Sequence, residues 1–158
     1  IGAFSPDGQR MIYTEILTGG EFVRASLQIA DLGTQATNVL TSAQEGTDDQ
    51  GPAWSPDGDF IAMQRKYLDN ERFTVGHQVY LIDARDGDVS PLIVDERYNH
   101  GSLSWSPDGD ALLMGRFAML DENLQPSGTG ALEVWTYTRD TRELVQITDD
   151  GYLPAWVP

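Results

Sequence analysis

The chain has 158 residues, no cysteine and a formal net charge of −15, from 25 acidic and 10 basic residues. The lack of cysteine excludes disulfides, thiolate metal sites and a cysteine nucleophile. The acidic balance argues against nucleic acid and anionic membrane surfaces as partners and favours cationic ones. The hydrophobic content of 40% is ordinary for a globular protein. No apolar run approaches the roughly 18 residues that a membrane-spanning helix needs.

One short motif recurs along the chain. It reads Phe-Ser-Pro-Asp-Gly at 4–8 and Trp-Ser-Pro-Asp-Gly at 54–58 and 105–109, and a fourth copy starts at Trp156. The aromatic residues are therefore 50, 51 and 51 positions apart. A constant period of this size indicates repeated supersecondary units. Pro and Asp suit the centre of a type I turn and Gly supplies a positive φ after it, so the motif predicts a hairpin between antiparallel strands.

Each unit is predicted to contain four short strands. Several of them carry consecutive apolar residues, which indicates burial on both faces, as in sheets arranged radially around an axis. Pro91 suits an outer edge strand, where no ladder donor is required. In chain order, the predicted strands cover 1–5, 10–15, 26–31 and 36–41, then 51–55, 60–64, 78–83 and 90–94, then 102–106, 111–116, 132–137 and 143–148, with 152–158 opening a fourth unit.

The pattern therefore predicts an all-β fold made of propeller blades. The predicted blade boundaries are 1–50, 51–101 and 102–151, followed by the first strand of another blade at 152–158. Closed propellers contain four to eight blades, and both ends of this sequence fall inside a repeat. We therefore expect the chain to be part of a larger propeller, with further blades as its neighbours.

The repeat resembles the TolB-type β-propeller repeat. The residues that carry the resemblance are Pro-Ala-Trp-Ser-Pro-Asp-Gly at 52–58, the later strand Val-Tyr-Leu-Ile-Asp at 79–83, and strands that end in Leu-Thr or Ile-Thr at 40–41 and 147–148. In the third unit Thr136 is aligned with Asp31 and Asp83 and departs from the pattern.

The resemblance implies a non-catalytic, periplasmic or extracellular module that binds proteins or ligands. Similar blades occur in propellers that gate prolyl-oligopeptidase-like and tricorn-like serine peptidases and in oligogalacturonate lyases. A gating propeller and a polysaccharide-active propeller are therefore the two alternative functions.

Propeller geometry separates the connections onto two faces. The Ser-Pro-Asp-Gly turns lie on one face, and the long loops 16–25, 65–77 and 117–130 lie on the other with the connections 42–50, 95–101 and 149–151. Long loops on a rigid scaffold commonly carry binding. This face holds twelve acidic residues, Glu21, Glu45, Asp48, Asp49, Asp69, Glu71, Asp95, Glu96, Asp121, Glu122, Asp149 and Asp150, against the basic residues Arg24, Arg65, Lys66, Arg72 and Arg97.

A basic protein or peptide is the partner that such a face favours. Apolar residues in the same loops are candidate anchors: Phe22, Tyr67, Phe73, Phe117, Met119 and Leu120. The candidate binding residues are Glu45, Asp48, Asp49, Asp95, Glu96, His100, Asp149 and Asp150. Asp48, Asp49, Asp149 and Asp150 precede predicted inner strands, which converge on the channel, so they are also candidate Ca²⁺ ligands. The alternative for these four aspartates is that each is a solvated loop acid, and the alternative for His100 is a loop histidine without a special role.

No catalytic residue is predicted. Ser102 and Ser104 lie near His100 in the sequence, but no Gly-x-Ser-x-Gly turn is present. The acids of the repeated turn, Asp7, Asp57 and Asp108, are interpreted as structural, and the aromatic residues that precede each turn are interpreted as wedges between blades.

Overall fold

The computed structural model of the chain describes residues 2–18, 23–42, 46–127 and 130–156. Within these ranges the regular structure consists of twelve β-strands in three four-stranded antiparallel sheets, with no helix. A helix capable of crossing a membrane is accordingly not found in this part of the chain. The predicted all-β architecture of three four-stranded units is confirmed.

In each sheet the strands pair in chain order, so that the first strand of each unit is at one edge and the fourth at the other. The first sheet contains β1 (Gly2–Phe4), β2 (Arg10–Leu17), β3 (Arg24–Asp31) and β4 (Thr37–Val39). The second contains β5 (Thr47–Trp54), β6 (Phe60–Tyr67), β7 (Gln78–Asp83) and β8 (Val89–Ile93). The third contains β9 (Tyr98–Trp105), β10 (Ala111–Ala118), β11 (Glu133–Thr138) and β12 (Glu143–Thr148).

Most strands match their predicted positions, but the inner strands start earlier than expected. β5 begins at Thr47 and β9 at Tyr98, whereas the sequence predicted starts at 51 and 102. The described residues of the fourth unit, 152–156, form no strand. Trp156 nevertheless takes the position expected from the repeat, because its indole Nε1 donates to the Ser104 carbonyl at 3.1 Å. Trp105 makes the same bond to the Ala53 carbonyl at 3.0 Å.

The repeated turn is organised by a buried serine. The Ser55 hydroxyl donates to Asp57 Oδ1 at 2.5 Å and accepts from the Phe60 amide at 2.9 Å. The backbone closes the turn with a bond from Gly58 N to the Ser55 carbonyl at 3.0 Å. Because Gly58 has a φ of 78°, glycine is the residue that fits there without strain. The same network recurs at 5–10 and 106–111.

The turn aspartates act as the sequence predicted. Bonds from the serine hydroxyls lower the pKa of Asp7, Asp57 and Asp108, because a hydrogen bond to the carboxylate favours its charged form. Each carboxylate also accepts from a backbone amide two residues further on. These acids therefore have a structural role, because their carboxylates accept hydrogen bonds within the hairpin turn.

The hydrophobic core lies between neighbouring sheets. One cluster joins Ile12 and Leu27 of the first sheet to Trp54, Ile61, Met63 and Ile82 of the second. Another joins Ala62, Val79 and Ile93 of the second sheet to Trp105, Leu112, Met114 and Tyr137 of the third. The wedge interpretation is correct for Trp54 and Trp105. Phe4 and Trp156 are instead 63% and 38% exposed, because no described sheet covers them.

The outer hairpins correct one alignment. Thr138 pairs with Ala111 as Asp83 pairs with Phe60 and Asp31 with Arg10, so the counterpart of both aspartates is Thr138, and the alignment of Thr136 with them was wrong. Each of these hairpins also has one residue with a positive φ, four positions after the aspartate or threonine. These residues are Gln35, Gly87 and Arg142.

We expect Gly58→Ala to lower the free energy of unfolding by about 1–2 kcal/mol, because an L residue in the left-handed region is strained. Gly33→Ala is the matched control, since Gly33 is also in a hairpin but has no positive φ. Urea denaturation of both variants measures the difference. Equal losses would show that the backbone at Gly58 is not the cause.

Candidate functional site

A chain of hydrogen bonds links the three sheets near the loop ends of the inner strands. Ala25 N donates to Asp48 Oδ1 at 2.7 Å, and Asp48 Oδ2 lies 3.0 Å from His77 Nε2. His77 N in turn donates to Asn99 Oδ1 at 2.9 Å. Burial raises the pKa of Asp48, but the bonds from His77 and Ala25 outweigh it and hold the pKa below its usual value. Asp48 therefore ties sheets together as a carboxylate.

Asp49 is buried within β5 and forms a bidentate ion pair. Its two oxygens accept from Arg65 Nε and Nη2, both at 2.8 Å, and its side chain has no exposed surface. Burial lowers the pKa of Arg65, whereas the bonds from its guanidinium to Asp49 raise it, and the net pKa is raised. The sequence placed Asp49 in an exposed connection. The structure corrects that location, because pairing with Arg65 compensates the carboxylate for the loss of water.

His100 takes the place of Asp49 in the third sheet. It pairs with Arg116 as Asp49 pairs with Arg65. His100 is fully buried, and its Nε2 has no hydrogen-bond partner among the described residues. Burial, reinforced by the positive charge of Arg116, lowers the pKa of His100 to about 4. The Arg116 guanidinium lies over the rings of Tyr98 and Trp135, at 3.9 and 3.7 Å from their centres.

The other predicted site acids are dispersed. Asp95 pairs with Arg97 at 3.1 Å, and Glu96, Asp149 and Asp150 are exposed. Glu45 lies outside the described residues. The described part of the chain contains no group of three acidic or histidine side chains that could hold a metal ion. A Ca²⁺ site at Asp48, Asp49, Asp149 and Asp150 therefore has no support from the geometry, since Asp48 and Asp49 bond within the protein.

The structure reveals a feature that the sequence did not predict, a cavity of about 630 Å³ along the inner strands. Residues of all three sheets and of the segment 152–154 line it. They are Thr14, Ile16, Gln50, Gly51, Pro52, Gln64, Asn99, Gly101, Ser102, Leu103, Gly115, Phe117, Leu132, Tyr152, Leu153 and Pro154. No described lining residue is charged.

The cavity wall contains a repeated backbone irregularity. Gly51, Ser102 and Leu153 occupy the same position of the 51-residue repeat and all have positive φ, of 59°, 53° and 50°. The ladders of β5 and β9 shift register around Gly51 and Ser102. A left-handed serine or leucine is strained, and such strain is concentrated at functional sites. The one sequence signal for a positive φ at this position was Gly51. Serine and leucine at the equivalent positions 102 and 153 gave no such signal.

No protein-family model matches this sequence, and no curated protein matches it. Solved structures do. TolB from Acinetobacter baumannii is 22% identical with a TM-score of 0.67, over 93% of this chain and 31% of its own. The β-propeller domain of the trilobed protease from Pyrococcus furiosus is 17% identical with a TM-score of 0.61, over 92% and 40%. An oligogalacturonate lyase in complex with manganese is 17% identical with a TM-score of 0.61, over 93% and 40%.

These similarities establish the β-propeller fold and are too distant to establish more. The chain spans less than half the length of each of these structures.

His100 should make stability depend on pH. Its pKa is about 4 when folded against 6.5 for the free side chain. Between these values the unfolded chain binds the proton and the folded chain does not. The contribution of His100 to the free energy of unfolding is therefore fully present above pH 6.5. It is lost as the pH drops towards 4, by up to about 3 kcal/mol. Urea titrations across this window should show a shallower pH slope for His100→Gln. An unchanged slope would contradict the assignment.

Ser102→Gly should raise the free energy of unfolding by about 1 kcal/mol, because glycine adopts positive φ without strain. Ser104→Gly, in the same strand but without a positive φ, should lower it by about 0.5–1 kcal/mol. Thermal or urea unfolding measures both. A loss of stability in both variants would show that Ser102 is not strained.

Proposed function

We propose that this chain is a non-catalytic binding module whose working surface is the loop face. We define the loop face as the described connections 68–77, 94–97, 119–127 and 149–151. The observation that supports this function is the distribution of charge. Arg72 and Arg97 are paired with Asp69 and Asp95. The exposed acids of this face without an ion pair to a described residue are Glu71, Glu96, Asp121, Glu122, Asp149 and Asp150.

This surplus of carboxylates gives the face a negative field. Charges at an interface rim mainly raise the association rate and select partners by sign. The partner that fits is a basic protein or peptide. Asp48 and Asp49 lie in β5, outside this face, and their carboxylates form bonds between and within sheets.

Affinity would come from an apolar anchor within the acidic rim. Phe73 is the candidate that the structure favours, because it is 54% exposed and lies beside Lys66. Tyr67 instead packs edge-on against Tyr80, and Phe117 lines the cavity. Met119 and Leu120 are half-buried, and Phe22 lies outside the described residues.

Further blades are a second class of partner that we propose. Phe4 is exposed at the repeat position where Trp54 and Trp105 are wedged against a neighbouring sheet. Another sheet of the same type would cover it. The resemblance to TolB supports a periplasmic or extracellular location, and the absence of cysteine is compatible with one.

The likeness to a protease propeller supports a second candidate, a gating propeller attached to a serine peptidase domain. The sequence of the parent gene distinguishes the two. A Gly-x-Ser-x-Gly turn in a strand–turn–helix context elsewhere in that gene would favour the peptidase, whereas further propeller repeats alone would favour the binding module.

Charge reversal tests the loop face. The variant Glu71→Lys, Glu96→Lys, Asp149→Lys, Asp150→Lys should associate about tenfold more slowly with a fluorescent Lys- and Arg-rich peptide at low salt. The difference should shrink as salt rises towards about 0.5 M, where screening is strong. Stopped-flow mixing measures the rate.

The matched control reverses four exposed acids in the hairpin turns of the opposite face, with Asp86→Lys, Asp88→Lys, Asp110→Lys and Asp140→Lys, so that both variants change the net charge equally. This control should leave the rate nearly unchanged. Equal slowing by both sets would mean that net charge acts without a defined surface, and no slowing by the first set would refute the loop face as the working surface.

A further inference from the structure

The cavity differs chemically from the rest of the molecule. Charged residues make up 22% of the sequence, yet none is among the described residues that line this space. Its polar side-chain groups are the carboxamides of Gln50, Gln64 and Asn99 and the hydroxyls of Thr14, Ser102 and Tyr152. A cationic ligand would find no carboxylate here, and an anionic ligand would find no basic group. The lining therefore selects for an uncharged ligand.

The Gln64 side chain lies against two glycines of the inner strands. A Cβ at Gly51 would overlap the Gln64 Nε2 atom, and one at Gly101 would lie 3.5 Å from Gln64 Oε1. The absence of a side chain at Gly51 leaves room for the carboxamide to extend from β6 to the cavity, whereas a methyl group at 101 would be tolerated as an ordinary contact. There it forms no hydrogen bond to a described residue. A positioned carboxamide with unused donors and acceptors is suited to contacting a ligand.

Other polar groups in the wall also keep hydrogen-bonding capacity. Asn99 accepts from His77 through Oδ1, which fixes the orientation of its side chain, while its Nδ2 has no bond to a described residue. The hydroxyls of Ser102 and Thr14 likewise have none. Phe117, Tyr152 and Leu153 also line the cavity and give it a hydrocarbon surface.

We propose that this cavity binds a neutral sugar, of the size of a mono- or disaccharide. A sugar hydroxyl both donates and accepts, as a carboxamide does, and the C–H faces of the ring can pack against aromatic and aliphatic walls. The volume of about 630 Å³ lies within the range for small-molecule sites.

An extended peptide fits this site less well. Strand addition requires a regular edge, and the irregularities at Gly51 and Ser102 interrupt the free edges of β5 and β9. The sugar site does not depend on the acidic loop face, so the two proposals can fail separately.

Saturation-transfer NMR and calorimetry on the full chain test this site. The probes are glucose, galactose, xylose, maltose and cellobiose, with galacturonic acid as the anionic counterpart and a Ser- and Asn-rich uncharged peptide as the alternative. At least one neutral sugar should bind at one site with a Kd of about 1 mM or lower. Galacturonic acid should bind at least about tenfold more weakly, because nothing in the lining compensates its charge.

Variants locate the site. Gln64→Leu should weaken sugar binding at least about tenfold, since it removes the central donor and acceptor. Gln146→Leu, on the exposed β12, is the matched control and should not change binding. Gly101→Ala supplies an independent check. Its added methyl makes only an ordinary contact with Gln64, but it narrows the cavity and should therefore also weaken sugar binding. Unfolding midpoints verify that each variant is folded.

Three outcomes would overturn the proposal. They are the absence of binding by every neutral sugar, binding of the peptide or of galacturonic acid at least as tight as that of the neutral sugars, and sugar binding that persists in both Gln64→Leu and Gly101→Ala.

Discussion

The buried serine of the Ser-Pro-Asp-Gly turn is the constraint on which the rest of the structure depends. Ser55 has no exposed surface, and its hydroxyl is both donor and acceptor inside the hairpin. An unmade bond at this site would leave a buried polar group unsatisfied, which is costly. The turn therefore fixes the residue at which the inner strand ends and β6 begins. Trp54, directly before the serine, is consequently held against the first sheet.

The position of the wedge determines how neighbouring sheets meet. Trp105 packs in the core between the second and third sheets, and its indole donates to the Ala53 carbonyl of the preceding inner strand. One side chain thus supplies apolar area and a directional bond across the same interface. Trp156 repeats the bond to Ser104 even though the described residues 152–156 form no strand. The buried Nε1 of Trp54 has no partner among the described residues, so the tryptophan bond recurs at two of the three positions, while Trp54 contributes packing alone.

Much of the fold could be predicted because its signals are local and repeated. Proline, aspartate and glycine have conformational preferences that do not depend on the rest of the chain, and three copies in phase reinforce one another. The inner strands were harder to predict, because residues 47–51 are polar and poor strand formers by composition. Asp49 belongs in a strand only because Arg65, far away in sequence, neutralises it there. A pattern along one segment cannot reveal that pairing.

The cavity escaped prediction for a related reason. Its walls are built from strand centres, which sequence patterns identify only as core or edge. The left-handed backbone at Ser102 and Leu153 runs against the preference of these residue types, so their identity gave no sign of it. Gly51 opens a predicted strand without any sign of its partner, whereas in the structure its missing side chain makes room for Gln64. The sequence therefore predicted a binding site in the acidic loops, because charged residues can be counted directly. It did not predict the uncharged cavity.

The separation of charge from the cavity has a physical consequence. Buried charges are compensated at the ends of the inner strands, where Asp48 bonds His77 and Asp49 bonds Arg65. The remaining acids lie in water on the loops. A ligand in the cavity would interact with neutral dipoles over short distances, which salt screens little, whereas a partner at the rim would interact through a field that salt screens strongly. Because the bonds of Asp48 connect neighbouring sheets, ligands at the two sites would share one hydrogen-bonded scaffold.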